Sequence, residues 1–373
     1  MHSERRPRLT PAIADVRRAV RTALASLTVG GGIPVTVSGA ASDTSTSTST
    51  STSTSTSTST STSTSTEPLV LVALSGGPDS LALAAATAFE ARKAGVRAGA
   101  VIVNHNLQEG SAAVAATAAQ QARDLGLDPV DIRSVLVGDA GGRESAARDA
   151  RYTALAAAAA EHGATRVLLG HTLDDQAESV LLGLARGSGA GSLKGMAADT
   201  GEYLRPLLAV PRSMTVQFCA DSEIVAWNDP HNLDTSYTRV RVRQTILPLL
   251  ESELGPGIRE ALARTADQAR EDAEALDHFA EEMAEDLADI SEAGISLPVR
   301  ALAANPAALR QRLIRLAVFS EFHVSLSRTH TLEIARLVTD WRGQGPIHVP
   351  GVRVERRENL LHFSAHSEER DAV

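Results

Sequence analysis

Short apolar runs and longer amphipathic stretches alternate over about 120 residues, beginning at Leu69. The runs are rich in Val, Leu and Ile, as buried strands are, while the stretches between them are rich in Ala. The predicted strands are Leu69–Leu74, Gly99–Asn104, Val130–Val137 and Arg166–Gly170, and the predicted helices begin near Asp79, Ser111, Glu144 and Asp174. This alternation predicts an α/β fold, a Rossmann-like doubly wound parallel sheet with helices on both faces.

A helix and a low-complexity segment precede the alternation. An amphipathic helix is predicted over Pro11–Leu27, because apolar residues recur there at helical spacing, at Ile13, Val16, Val20 and Leu24. From Thr44 to Thr66 serine and threonine alternate, and no apolar side chain is present that could be buried. This segment is therefore predicted to be a disordered linker.

Strand signals vanish after Pro256, and a mainly helical region with a short β element is predicted there. The predicted helices are Pro256–Ile290, Pro298–Phe322 and Arg328–Trp341, and the predicted β pair is Ile347–Val349 with Leu360–Phe363. The expected domains are a helical extension (1–43), the Ser/Thr repeat (44–66), the α/β domain (67–250) and a helical C-terminal domain (251–373).

The charge is unevenly distributed along the chain. The formal net charge of −9 argues against a nucleic-acid partner, but Arg300 to Arg357 hold ten arginines and four acids. Local charge of this kind can attract a polyanion; the alternative is that the arginines only solvate helix faces. Cys219 is the only cysteine, which excludes an internal disulfide and a multi-thiolate metal site. A cytoplasmic protein without membrane contact is expected, since no spanning run or secretory signal is evident.

Polar clusters follow three of the predicted strands. They are SGGPDS at 75–80, NHNLQEGS at 104–111 and GHTLDDQAES at 170–179. Because ligands of parallel sheets bind beyond the carboxyl ends of the strands, the three clusters predict one shared site.

The SGGPDS turn joins a strand to a helix. Such a turn favours a bound phosphate, because backbone N–H groups and the positive end of the helix dipole point at the space before the helix. It has no Gly-Lys-Ser/Thr, so the phosphate would be held by N–H groups and by the hydroxyls of Ser75 and Ser80. Gly76 and Gly77 allow close approach, and Asp79 could orient Mg²⁺. The alternative is a plain glycine-rich turn capped by Ser or Asp.

SGGPDS resembles the PP-loop of the N-type ATP pyrophosphatases, which split ATP to AMP and pyrophosphate while adenylating a substrate oxygen. The chain from about Leu69 to Pro248 resembles the tRNA(Ile)-lysidine synthase family. The motifs that carry this likeness are VNHNLQEGS (103–111), ESAARDARY (144–152), LLGHTLDDQAESVLLGLARGSG (168–189), LRPLL (204–208) and NDPHNLDTSYTRVRVRQTILP (228–248), with GQGPIHVPG (343–351) similar to the family's C-terminal segment.

The resemblance implies a ligase that uses ATP and Mg²⁺. It would adenylate the wobble cytidine of tRNA(Ile) with a CAU anticodon at its C2 oxygen, and the amine of free L-lysine would then displace AMP to give lysidine. Residues 67–250 would be the catalytic PP-loop domain, and 251–373 would bind tRNA.

The same resemblance implies the ATP-binding and catalytic residues. The ATP-binding set is Ser75, Gly76, Gly77, Pro78, Asp79, Ser80, Asn104, His105, Arg148, Arg151 and Gly170, and the catalytic set is Asp79, Arg148 and His171. Arg148 and Arg151 lie one helical turn apart and could reach phosphate; the alternative for Arg148 is an ion pair with Glu144. His171 could contact the nucleotide or assist proton transfer, or it could be structural.

Lysine binding needs anions, and Asp174, Asp175 and Glu178 stand within one turn of a helix. Close carboxylates need a cation among them, which a lysine substrate or a metal would supply. The alternative is that these acids only complement the helix dipole.

The predicted tRNA contacts are Arg205, Asn232, Asp234, Tyr237, Arg239, Arg241 and Arg243, of which Arg239 and Arg243 fall on one helical face. The alternative is a basic helix packed on the acidic helix after Pro256. Val240 stands where the family usually has Asn, which puts an amide contact there in doubt.

Two other functions are possible for a chain with this turn. A PP-loop thiolase needs several cysteines and a glutamine amidotransferase needs an N-terminal one, so Cys219 alone serves neither. A non-catalytic ATP-binding module would not need the acidic cluster and the arginines together. The group that deprotonates the lysine amine, and whether the protein is a homodimer, stay open.

Overall fold

A computed structural model describes residues 9–29, 67–105, 110–135, 138, 143–187, 189–291 and 294–366. The predicted Ser/Thr linker lies outside the described residues. The chain divides by its internal contacts into two compact units. The first unit holds the chain up to residue 186 and residues 195–264, and the second holds residues 187–194 and the chain from residue 265.

The first unit is built on a five-stranded parallel sheet with the strand order β3–β2–β1–β4–β5. Its strands are β1 (Leu69–Ala73), β2 (Arg97–Asn104), β3 (Val130–Ser134), β4 (Ala164–Leu168) and β5 (Tyr203–Leu204). The predicted fold class is confirmed. The strand β5 was not predicted, because two residues carry no periodic signal.

Helices surround this sheet. The helices of the first unit are α1 (Pro11–Val29), α2 (Pro78–Ala94), α3 (Ser111–Asp124), α4 (Arg143–His162), α5 (Leu173–Ala185), α7 (Arg212–Asp221), α8 (Thr238–Arg241) and α9 (Leu247–Leu254), with a 3₁₀ turn at Pro230–Leu233 and a π-helical turn at Val242–Ile246. The short helix α6 (Ala190–Leu193) belongs to the second unit.

The central strand β1 explains why both faces are covered. All of its residues are buried. Val70 and Val72 join the core under α1, α2, α3 and α7, whereas Leu69 and Leu71 join a second core with Leu155 of α4. Successive side chains of a strand point to opposite faces, so a continuous apolar run fits a strand that is buried on both.

Helix α1 is part of the first unit's core. Val16, Val20 and Leu24 are fully buried in the cluster that also contains residues of α2 and α7. Arg21 donates two hydrogen bonds to the carboxylate of Glu90 on α2, at 2.8 and 2.9 Å, and the Glu90 side chain is buried. The predicted amphipathic helix therefore packs on the sheet domain.

The second unit combines helices with an antiparallel sheet of order β6–β7–β10–β9–β8. The strands are β6 (Asp289–Ser291), β7 (Gly294–Pro298), β8 (Ile347–Val349), β9 (Val352–Arg357) and β10 (Leu360–Ala365). The helices are α10 (Ile258–Leu287, from residue 265 onward), α11 (Val299–Ala304), α12 (Ala307–Phe322) and α13 (Arg328–Thr339).

Three predictions for this unit are wrong. The helix predicted to run to Ile290 ends at Leu287, and Ile290 lies in the strand β6, which was not predicted. The second helix is broken before Pro306, since the residue before a proline is driven to extended backbone; Asn305 has φ −84° and ψ 146°. The two strands predicted as a pair do not pair with each other, because both pair with β9.

No helix in the described part of the chain is long and apolar enough to cross a membrane.

Candidate nucleotide and substrate site

The turn that was predicted to bind phosphate lies between β1 and α2. Gly76 has φ +82°, in the left-handed region that favours glycine. Ser80 is buried, accepts the backbone N–H of Ser75 at 3.2 Å and donates to the Gly77 carbonyl at 3.0 Å. Gly77 begins the helix without a side-chain cap, and Pro78 follows it. The turn therefore presents uncapped first-turn N–H groups, as an anion site requires.

The hydroxyls of the turn differ in their surroundings. The Ser80 hydroxyl is bonded within the turn, and the exposed Ser75 hydroxyl lies 3.1 Å from it. Of the two predicted phosphate contacts, Ser75 is the one that faces solvent.

Asp79 in the first turn of α2 is held by two side chains of α7. The Thr215 hydroxyl donates to Asp79 Oδ1, and Arg212 Nη1 lies 3.4 Å from Asp79 Oδ2. Burial raises the pKa of Asp79, and Arg212 and Thr215 partly offset this rise. Sequence reasoning missed both residues. The available signal was a polar first turn after Pro211, but nothing in the sequence links it to Asp79.

The residues after β4 meet the same turn. A methyl group at Gly170 would lie 3.2 Å from Ser80 N and 3.3 Å from the carbonyl of Asp79, so glycine favours this close approach. The Trp227 backbone N–H donates to the Gly76 carbonyl at 2.9 Å, a contact that the sequence did not indicate. The SGGPDS turn and the GHTLDDQAES segment are therefore neighbours.

Two histidines at the strand ends each have a buried Nδ1 without a hydrogen-bond partner, His105 and His171. Burial lowers the pKa of His171 to about 4, and burial with nearby Arg151 lowers the pKa of His105. Both rings are therefore neutral at pH 7 and can bind a ligand through hydrogen bonds. Asn104, the last residue of β2, is buried.

Arginines make this end of the site positive. Arg148, Arg151 and Arg205 all act electrostatically on His171. Arg148 is exposed and lies over the Tyr152 ring at 5.0 Å, whereas burial lowers the pKa of Arg151. The predicted alternative, a pair between Arg148 and Glu144, involves a side chain outside the described residues. A desolvated guanidinium beside two uncharged rings suits an anionic ligand.

The three carboxylates predicted for lysine face arginines of the chain itself. Asp174 accepts the Arg212 backbone N–H at 2.8 Å and pairs with Arg259 at 3.1 Å. Arg243 pairs with Asp175 at 3.0 Å and bonds Glu178, whose side chain is fully buried.

Further contacts complete this group. Arg239 lies 3.7 Å from Glu178, and the Thr172 N–H and hydroxyl both donate to Asp175 at 2.9 Å. Burial would raise the pKa of Asp175, but Thr172 and Arg243 hold it below its ordinary value. Burial raises the pKa of Glu178 despite its bonds to Arg243.

Together these groups form a carboxylate–arginine cluster in which four carboxylates face four arginines: Asp79, Asp174, Asp175 and Glu178 with Arg212, Arg239, Arg243 and Arg259. The chain's own guanidinium groups therefore supply cations to these acids, and Arg259 is shared with a fifth carboxylate, Glu251, at 3.2 Å. The placement of lysine at Asp174, Asp175 and Glu178 stays a prediction. Among the described residues no three His, Cys, Asp or Glu side chains are grouped to hold a metal ion.

The predicted tRNA-binding residues fall into three environments. Arg239 and Arg243 are paired in the cluster, whereas Arg241 is exposed and donates to the carbonyls of Thr235 and Ser236. Arg205 is only 8% exposed and donates to the Ala197 carbonyl at 2.8 Å, so a phosphate contact would require it to move.

The segment before α8 is a turn that exposes its side chains. Asn232 and Tyr237 are exposed, and Asp234 accepts the Ser236 N–H at 2.9 Å. Val240 is buried, so the position where the family usually has Asn faces the protein interior here.

The parallel sheet, the uncapped glycine turn and the neighbouring cationic strand ends define a PP-loop nucleotide-binding protein, and a family model described as a PP-loop domain matches residues 49–250. A second model, the TilS substrate binding domain, matches residues 297–362. The chain belongs to the tRNA(Ile)-lysidine synthase family.

Close relatives carry that family name. The tRNA(Ile)-lysidine synthase of Leifsonia xyli subsp. xyli is 61% identical over 300 residues, which cover 80% of this chain and 90% of the relative. The enzyme of the same name from Streptomyces coelicolor is 53% identical and covers 78% of this chain and 83% of its own. The U34-tRNA thiolase NcsA from Methanococcus maripaludis aligns with TM-score 0.49 and 16% identity, over 69% of this chain and 79% of its own.

Proposed function

We propose that this protein uses ATP to join free L-lysine to C2 of the wobble cytidine of tRNA(Ile) with a CAU anticodon, through an adenylated tRNA, giving lysidine, AMP and pyrophosphate. The observation that carries the proposal is the 61% identity to the Leifsonia xyli enzyme over nine-tenths of its length.

The residues at the PP-loop turn fit the triphosphate of ATP. Gly76 brings the backbone close, the N-terminus of α2 is uncapped, and the Nδ1 atoms of His105 and His171 are buried without a partner. These donors would hold the phosphates in line with the attacking oxygen, and Arg148 and Arg151 would offset the growing charge. ATP supplies the adenylyl group that turns the cytidine oxygen into a leaving group.

Asp79 is the residue that we propose for Mg²⁺. Mg²⁺ is commonly held by one or two carboxylates together with substrate phosphates, so a single carboxylate next to the phosphate turn fits. Thr215 and Arg212 would set the position of that carboxylate.

The carboxylate–arginine cluster is the place that we propose for lysine. Free lysine carries two ammonium groups and one carboxylate, so a cluster with both charges can pair with all three. Asp174 and Asp175 are partly accessible, whereas Glu178 is not. An ammonium group of lysine would compete there with Arg243 or Arg259. The attacking amine must be neutral to react, and its proton has to pass to another group or to solvent.

A staged transfer assay tests the function. In the first stage, with ATP labelled in its α-phosphate and without lysine, the label should enter a tRNA(Ile) transcript with a CAU anticodon. In the second stage, added lysine should release the label as AMP, and the lysine itself should become attached to the RNA. A transcript with U at the wobble position should accept neither the label nor lysine. Failure of the wild-type protein to label the RNA, beside an active lysidine synthase, would refute the proposal. Asp79→Ala should abolish the first stage.

A further inference from the structure

The second unit contains a cavity of about 280 Å³ between α10 and α12, with the segment that follows α12. Its charged lining is formed by Arg312 and Arg315 with the acids Asp277 and Glu281, and its apolar lining includes Leu316, Phe319, Val324 and Leu326. The cavity therefore offers both charged and apolar groups to a ligand.

The charged lining and the lysine paired with it hold three cations, Arg312, Arg315 and Lys194, against two acids, Asp277 and Glu281. The carboxylate of Asp277 is shared by two cations, Arg312 at 2.7 Å and Lys194 at 3.3 Å. Arg315, one turn along the helix, has no hydrogen bond or ion pair to another residue in the part of the chain that the structure describes. Burial lowers the pKa of Arg315 and the neighbouring Arg312 lowers it further, while Asp277 offsets only part of this decrease. An anion beside Arg315 would offset both effects.

The apolar lining of the cavity restricts which chemical class of ligand can fit. Phe319 is 55% exposed at the cavity, although a phenyl ring is normally buried. A paired RNA backbone offers phosphate and sugar but no flat apolar surface, and an inorganic anion offers none. An unpaired nucleotide offers both a phosphate and the face of a base, which stacks on aromatic side chains. The cavity is too small for a duplex but large enough for part of one nucleotide.

We propose that this cavity binds one unpaired nucleotide of the RNA substrate, with its phosphate at Arg315 beside Arg312 and its base against Phe319. The proposal rests on the proposed function and adds a defined RNA subsite in the second unit. The helix that carries it, α12, lies within the match to the substrate binding domain.

Two variants of the full-length protein separate the charge from the ring. Arg315→Gln should weaken binding of the tRNA(Ile) transcript roughly tenfold, because it removes one charged hydrogen-bond partner. It should also reduce the slope of log affinity against log salt by about 0.7–0.9, as expected for one phosphate contact. Phe319→Ala should weaken binding by a similar factor and leave the salt slope unchanged.

Arg342→Gln is the matched control. Arg342 is an arginine of the same unit outside the cavity, with a side chain that is 82% exposed. Removing its charge should change the affinity less than twofold. Filter binding between 50 and 200 mM salt measures all three proteins, and the KM values for ATP and lysine should stay at the wild-type values. A higher KM for ATP in Arg315→Gln would mean that the cavity takes a free nucleotide and would overturn the proposal.

Photo-crosslinking of the wild-type protein gives a test that no variant's folding can affect. RNA that carries 5-iodouridine at its unpaired positions should crosslink to the peptide containing Phe319. Crosslinks in the second unit that all avoid residues 312–326 would overturn the proposal, as would equal affinities for Arg315→Gln and Arg342→Gln. Those results with an active wild-type enzyme contradict this subsite alone, whereas an inactive wild-type enzyme contradicts the proposed function.

Discussion

Replacing Glu178 tests the buried ion pair at the centre of the carboxylate–arginine cluster. The Glu178 side chain is fully buried, and Arg243, which is 22% exposed, bonds both of its oxygens. Loss of one partner of a buried pair costs about 3–5 kcal/mol. In Glu178→Gln the amide oxygen still accepts a hydrogen bond from Arg243, and Arg243 keeps Asp175 as its second partner. The free-energy cost of burying the Glu178 charge is also removed. We therefore expect about 2 kcal/mol of lost stability.

Urea unfolding can measure this loss in the first unit alone. The chain has two tryptophans, Trp227 in the first unit and Trp341 in the second, so fluorescence in a Trp341→Phe background reports on the first unit. Glu161→Gln is the control in the same unit, because Glu161 is 63% exposed and its pair with Arg133 should contribute less than about 0.5 kcal/mol.

A double-mutant cycle with Arg243→Gln isolates the pair itself. A coupling energy below about 0.5 kcal/mol would refute the buried pair. The same Glu178→Gln protein should need more lysine for half-maximal transfer; unchanged lysine dependence would show that lysine binds elsewhere.

Three further predictions concern the phosphate turn and its surroundings. Thr215→Val should slow adenylation roughly tenfold, because Asp79 loses a charged hydrogen bond, while Thr215→Ser should keep the rate. His171 should stay neutral from pH 8 down to about pH 5 in NMR titrations, since burial lowers its pKa to about 4. Arg21 holds the pKa of Glu90 below its ordinary value of 4.5, so the stability that this pair contributes is fully present above pH 4.5 and is lost as the pH falls through the lowered folded-state pKa. The melting temperatures of wild type and Glu90→Gln should therefore converge below pH 4.5.

Each of these three predictions has a result that would contradict it. Equal adenylation rates in Thr215→Val and wild type would mean that the bond to Asp79 does not matter for catalysis. A His171 resonance that titrates near pH 6.5 would mean that the ring is solvated. A constant gap in melting temperature between pH 7 and pH 3.5 would rule out Glu90 as the titrating partner.

The sequence predicted those features that depend on local pattern. The continuous apolar run of β1 and the glycines after it indicated a buried strand and a turn into a helix, because both signals lie within a few residues. The missed strands β6 and β7 follow an acidic helix whose helical pattern extends through Ile290, and no strong local signal marks Gly294, the first residue of β7. A side chain at position 294 would clash with the carbonyl of Phe363 on β10, a residue that is distant in the sequence.

The partners of the site residues could not be predicted from local pattern. Arg239 and Arg243 were expected on one helical face, but their contact with Glu178 spans more than 60 positions. The pairing of Arg212 and Thr215 with Asp79 spans more than 130. Such contacts depend on how the helices pack around the sheet edge, and a single sequence does not encode that in any periodic signal.

The position of α1 limits how the protein can be shortened. A fragment that starts at β1 would lose Val16, Val20 and Leu24, each contributing about 1.5–3 kcal/mol through burial, and would uncover the apolar faces of α2 and α7 beneath them. It would also leave the carboxylate of Glu90 without its cation. Exposed surface of that kind promotes self-association, so a recombinant fragment trimmed to the catalytic motifs would aggregate, and a usable expression boundary must lie before Leu9.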